Sequence, residues 1–97
     1  MAYDPGAIDS VLAAAVGDDA ALIAELRASF IESALRSVAT VQAASTPAEW
    51  AAAAHRLTGL AASFGAVRLM ALASDAAQAQ PGNKAMIAKL NRAIARL

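Results

Sequence analysis

The sequence predicts an all-α fold, an antiparallel up-down four-helix bundle with a short extra N-terminal helix, and three observations predict it. Of the 97 residues, 30 are alanine, the strongest helix former and a poor strand former. Apolar residues recur at helical rather than alternating spacing along most of the chain. Turn and stop signals of a few residues each divide it into five stretches, and such short connections make successive helices antiparallel neighbours. At this length the chain is one domain, residues 1–97, with room for a single core.

The elements follow in order. Asp4-Pro5-Gly6 reads as a turn, and Ala7 to Val16 as a short helix that Gly17 ends. Asp18 or Asp19 then caps a long helix reaching about Ala44, with Leu22, Ile23, Leu26, Phe30, Ala34, Ser37 and Val41 on one face. Glu32 and Arg36 mark the opposite side in the favourable i,i+4 order. A second stripe, Ile31, Leu35 and Val38, reads as packing under the N-terminal helix or inside the bundle in preference to partner docking. Thr46-Pro47-Ala48-Glu49 has the form of a capping box, with proline at the first helical position. The helix it opens runs to Ser63 or Phe64, where Gly65 stops it. Ala66 to Ala79 is a fourth helix carrying Val67, Leu69, Met70, Leu72, Ala73 and Ala76. After the turn Gln80-Pro81-Gly82-Asn83, the last helix places Met86, Ile87, Leu90, Ile94 and Leu97 inward.

Composition and charge narrow the function classes. The longest stretches without a charge, Ser37–Ala48 and Leu57–Val67, span 12 and 11 residues, below the ~18 that a membrane-spanning helix needs. No leader pattern opens the chain, and with no cysteine there is no disulfide and no thiolate chemistry, so a cytoplasmic protein is expected. Net charge is zero but unevenly divided. Residues 1–49 hold seven acids and two arginines, and residues 50–97 hold Asp75 against six Lys or Arg. Lys84, Lys89, Arg92 and Arg96 on the last helix read as complements to the helix dipole and as solubilising charges. Zero net charge and the lack of a recognition motif argue against nucleic acid as a partner.

His55 is the only histidine. With His55 set at 0°, Trp50, Ala53, Leu57, Leu60, Ala61 and Phe64 fall between about 140° and 240° on the same helix, so the imidazole points away from the core face. Within about 60° of it lie Ala48, Ala51, Ala52, Thr58, Gly59 and Ala62, a floor of small side chains where a solvated face ordinarily carries Lys, Glu and Gln. Gly59 follows one turn after the histidine, although glycine inside a helix costs about 1 kcal/mol relative to alanine. Clearing that position lets another protein approach the ring closely. A solitary surface histidine beside a glycine tolerated for packing is the other reading, and spacing leaves both open.

Other site chemistry lacks its residues. One histidine without cysteine does not assemble a zinc or transition-metal site, and no carboxylate cluster offers another kind, so no metal site is expected. No carboxylate neighbours His55 on its helix for a Ser-His-Asp arrangement, and no glycine-rich nucleotide loop is present. An isolated, neutral, exposed imidazole retains one capability, nucleophilic attack by a ring nitrogen on an activated phosphoryl group.

The segment His55-Arg56-Leu57-Thr58-Gly59-Leu60-Ala61-Ala62-Ser63-Phe64-Gly65-Ala66-Val67-Arg68-Leu69 resembles the histidine-containing phosphotransfer (HPt) signature, H-x-L-K-G-x-x-x-x-[LF]-G-A-x-x-L. His55, Leu57, Gly59, Phe64, Gly65, Ala66 and Leu69 match at the family's spacing, and Gly17-Asp18-Asp19 followed by Leu22, Leu26 and Phe30 resembles its lead into the first long helix. The resemblance implies a four-helix bundle in which His55 accepts a phosphoryl group on Nε2. The group would pass between His55 and aspartates of response-regulator receiver domains in a multistep His–Asp phosphorelay, fed by a sensor or hybrid histidine kinase. It implies no kinase or ATPase activity of the chain's own, no resident cofactor, and Mg²⁺ supplied by the receiver. The protein would act as a monomer. One position departs from the pattern: the family has lysine three residues after the histidine, and here stands Thr58. Thr58 retains a hydroxyl to offer a phosphate, and Arg56, about 100° round the helix, is a second candidate for that contact. Ala51, Ala52 and Ala62 form the expected docking surface. The alternative from a different class is a helical adaptor that binds a signalling kinase or receiver through the same face without phosphotransfer.

Overall fold

Five helices and no strand make up residues 6–97, the part of the chain that the computed structural model describes: α1 (Gly6–Val16), α2 (Ala20–Ala43), α3 (Pro47–Ser63), α4 (Val67–Ala76) and α5 (Lys84–Ala95). Asp4 and Pro5 of the expected opening turn lie outside the described residues, and Gly6 belongs to the first turn of α1.

Local chemistry sets most of the ends. Asp19, not Asp18, is the N-cap of α2, accepting from the Leu22 amide at 3.1 Å. Thr46 caps α3 by accepting from the Glu49 amide at 3.1 Å. The return half of the capping box differs from expectation, because the Glu49 carboxylate accepts the hydroxyls of Thr46 and Ser45. Asn83 caps α5 through a bond from the Met86 amide at 3.1 Å.

Between α3 and α4 the chain closes a Schellman motif. Gly65, at φ +71°, donates to Ala62, and the Ala66 amide reaches back to Ala61 at 2.9 Å. That left-handed backbone conformation is why a glycine ends α3. Ala66 then opens α4 without a side-chain cap.

The fourth helix is shorter than the pattern to Ala79 suggested. Pro81 has no amide hydrogen to give to the Ala77 carbonyl and disfavours helical geometry at Gln80. The chain after Ala76 accordingly tightens into three-residue turns, Gln78 to Asp75 and Ala79 to Ala76.

The core forms where the apolar stripes of four long or medium helices meet that of α1. Taking Ala34 as the centre of the α2 stripe, the buried residues Phe30, Val38 and Val41 lie within about 40° of it, at 100° per residue. Ile23 lies about 20° from the same centre but near the start of the helix, and Ile31, Ser37 and Leu26 lie about 60–80° away on its shoulders; all four are half-buried. Leu22 and Leu35 lie about 100–120° away from that centre and are exposed, contrary to the inward or packed positions expected for them. Val67, about 120° from Ala73 on α4, is 46% exposed for the same reason. Trp50 is wholly buried, and its indole nitrogen donates to the Ala76 carbonyl at 2.6 Å, tying the start of α3 to the end of α4. Phe30 and Phe64 stack with ring centroids 4.5 Å apart, joining α2 to the end of α3.

Among the described residues, α2 packs against α1, α3 and α5, and α4 packs against α3 and α5. Arg27 of α2 binds Asp9 of α1 and the Leu97 carbonyl beyond α5, so one guanidinium joins three parts of the chain. At 1.5 Å per residue the 24 residues of α2 span about 36 Å, most of the 43 Å long axis. No described helix is long and apolar enough to cross a membrane.

Candidate functional site

The middle of α3 carries two opposed surfaces. Trp50, Ala53, Ala54, Leu57 and Ala61 are buried, whereas Leu60 and Phe64 of the expected core face are half-buried and packed against the core's edge. His55 is exposed on the far side of the helix, together with Ala48, Ala52, Gly59 and Ala62; Ala51 and Thr58 are half-buried at its margins. The small-residue floor around the imidazole is therefore solvent-facing across most of its width.

Gly59 tests the reason for that floor. A Cβ built at Gly59 meets no atom within 4 Å, so no neighbouring helix requires glycine at this place. Its backbone is ordinary right-handed helix, so no unusual dihedral requires it either. Packing inside the chain thus leaves unexplained a residue that weakens the helix by about 1 kcal/mol.

Thr58 and Arg56 differ in readiness to meet an anion beside His55. The Thr58 hydroxyl donates to the Ala54 carbonyl at 3.0 Å, so its hydrogen is committed inside the helix. To donate to a phosphate the hydroxyl would have to leave that carbonyl, which lies one turn back in the helix, within reach of the threonine side chain. Arg56 is exposed and has no ion pair or hydrogen bond among the described residues.

Arg56 also borders a cleft of about 360 Å³ between α2 and α3, shared with Ser33, Arg36, Ser37, Thr40 and Leu60. Arg36 there is held by Glu32 at 2.8 Å and Ser33 at 3.2 Å, and Thr40 donates to the Arg36 carbonyl. Sequence reading of α3 alone did not find this wall. Its only signal was the polar spacing of Ser33, Ser37 and Thr40 along one flank of α2. Among the described residues, no three His, Cys, Asp or Glu side chains come together as a metal-holding group.

Comparison of the chain with protein-family models, with curated proteins and with solved structures finds no match. The functional reading rests on the residues themselves.

Proposed function

We propose that the protein is a phosphocarrier of the histidine-containing phosphotransfer type, an up-down four-helix bundle of α2–α5 with α1 laid on α2. The observation that carries the reading is the pairing of a solvent-facing His55 with Gly59, a helix-weakening residue one turn away that no internal contact requires. A free imidazole on cleared ground suits a nucleophile that works inside another protein's pocket.

The step balances without a catalytic group on this chain. The lone pair of a His55 ring nitrogen attacks the phosphorus of an aspartyl phosphate, the new N–P bond forms in line as the P–O bond breaks, and the aspartate carboxylate leaves with the electron pair. The proton on the other ring nitrogen is exchanged with water. Reversal passes the group to a second receiver aspartate. Positioning and charge neutralisation, with Mg²⁺, come from the receiver, in keeping with a carrier that has no kinase or ATPase activity. Arg56 is the group of α3 placed to meet the phosphoryl oxygens once His55 is modified, and Ala51, Ala52 and Ala62 form the floor on which the receiver sits. Such a carrier works as a cytoplasmic monomer.

The second reading is a helical adaptor that binds a signalling kinase or receiver through the same face without phosphoryl transfer. The commitment of the Thr58 hydroxyl to Ala54, where a lysine would have offered a charge, is the observation in its favour.

Incubation with receiver domains phosphorylated by a small-molecule phosphodonor in the presence of Mg²⁺ separates the two. The carrier reading expects acid-labile, base-stable phosphate on the wild-type chain and none on His55→Gln. A receiver that binds the chain and keeps its phosphate establishes the adaptor.

A further inference from the structure

The basic half of the sequence converges on one place in the fold. Arg68 of α4 and Lys89, Arg92 and Arg96 of α5 and its cap line a single cleft of about 260 Å³, with Leu72 and Ala93 as its apolar floor. These are four of the eight Lys and Arg residues in the chain. All four are exposed, and none of their side chains makes an ion pair or hydrogen bond among the described residues. The one acid of residues 50–97, Asp75, is paired with none of them.

Helix-dipole complementarity and solubility account for part of this pattern only. Arg92 and Arg96 lie in the last turn and cap of α5, where a cation is favoured. Arg68 lies in the first turn of α4, the positive end of that helix, where a cation is disfavoured. It nevertheless stands across the cleft from the other three. Scattering these charges around the bundle would solubilise it equally and reduce their mutual repulsion.

We infer that the α4–α5 cleft is a docking site for an acidic segment of a protein partner, one whose carboxylates flank an apolar side chain. Lys89 and Arg96 stand seven positions apart, about 10 Å along α5 and its cap, so the cations form a line and not a point. Three guanidiniums offer forked donors to carboxylates, while Leu72 and Ala93 between them receive an apolar side chain. Nucleic acid fits less well. Of the aromatic residues described, Trp50 and Phe30 are buried and Phe64 is stacked on Phe30, which leaves no free ring near the cations for a base. None of the lining residues belongs to α3, and the inference does not rest on phosphotransfer at His55.

Fluorescence anisotropy of a labelled peptide with pairs of Asp or Glu separated by single leucines tests it, in low salt and at physiological ionic strength. The expected result is salt-sensitive binding that weakens about tenfold, or ~1.4 kcal/mol, in Arg92→Glu. Lys84→Glu changes net charge by the same amount on the opposite flank of α5 and should alter affinity less than about twofold; His55→Gln should not alter it. Thermal melts of each variant establish that it is folded. Equal weakening by Arg92→Glu and Lys84→Glu, or no peptide binding in low salt, overturns the inference. So does tighter binding of a single-stranded oligonucleotide or of phosphatidylserine vesicles, or a salt-sensitive dimer in sedimentation that Arg92→Glu dissolves, which would assign the cleft to a second copy.

Discussion

The two sides of α3 are built from the same small residue and use it in opposite ways. Ala53, Ala54 and Ala61 are buried, where the absence of a longer side chain lets α3 approach its neighbours closely. Ala48, Ala52 and Ala62 are exposed, where a longer polar side chain would cost nothing. Only the first group is explained by the stability of this molecule. The second, with Gly59, forms the surface on which the proposed receiver would sit.

Changes that separate the two faces sharpen this contrast. The largest effect on function is expected at His55: His55→Gln abolishes the acid-labile phosphate acquired from a phosphorylated receiver while stability stays within about 0.5 kcal/mol, read by urea denaturation. On the opposite face, Trp50→Ala removes the largest buried side chain and its bond to Ala76, and should lower unfolding free energy by about 3–5 kcal/mol. A paired test with one substitution follows. Ala54→Leu overpacks the core and should cost about 1–3 kcal/mol, whereas Ala52→Leu should leave stability within about 0.5 kcal/mol and slow transfer from the receiver. If Ala52→Leu transfers at the wild-type rate, the floor around His55 is not a docking surface.

Smaller effects probe the glycine and its neighbour. Gly59→Ala should raise stability by up to about 1 kcal/mol, since its added Cβ meets nothing, and should reduce the transfer rate in single-turnover kinetics. A gain in stability with unchanged transfer would remove the main support for a partner at this position. Thr58→Lys frees the site of a hydroxyl committed to Ala54 and adds a charge; a phosphohistidine lifetime lengthened a few-fold is the expected outcome, and an unchanged one argues that Arg56 or the partner already balances the phosphate.

The fold was legible in the sequence wherever a signal was local. The threonine and proline that open α3, Gly65 at its end, Pro81 in the last turn and the i,i+4 pair Glu32–Arg36 all act within one or two turns of backbone. Leu22, Leu35 and Val67 were less legible. Each is apolar and sits near an apolar stripe, yet which edge of a stripe is covered depends on the neighbouring helix. The same holds for Ala54, buried at the edge of an arc that the larger residues of α3 did not mark. The end of α4 was hidden by alanine itself, which favours helix through Ala79 until Pro81 withholds an amide.

For the candidate site, the angular relation of His55 to Gly59, Ala52 and Ala62 followed from helix geometry once α3 was recognised, because 100° per residue leaves no freedom within one helix. The commitment of the Thr58 hydroxyl lay one turn away and could be anticipated from the same geometry.

What the sequence determined by itself was therefore the set of helices and the order of side chains around each, since both arise from contacts no more than a few residues apart. Tertiary structure alone decided which flanks face one another. It set Ser33, Ser37 and Thr40 beside Arg56, and it brought Arg68 across from Lys89, Arg92 and Arg96 although more than twenty residues separate them in the chain. Those pairings depend on how whole helices nest, and helix nesting answers to the summed shape and burial of many residues, which no single stretch of sequence carries.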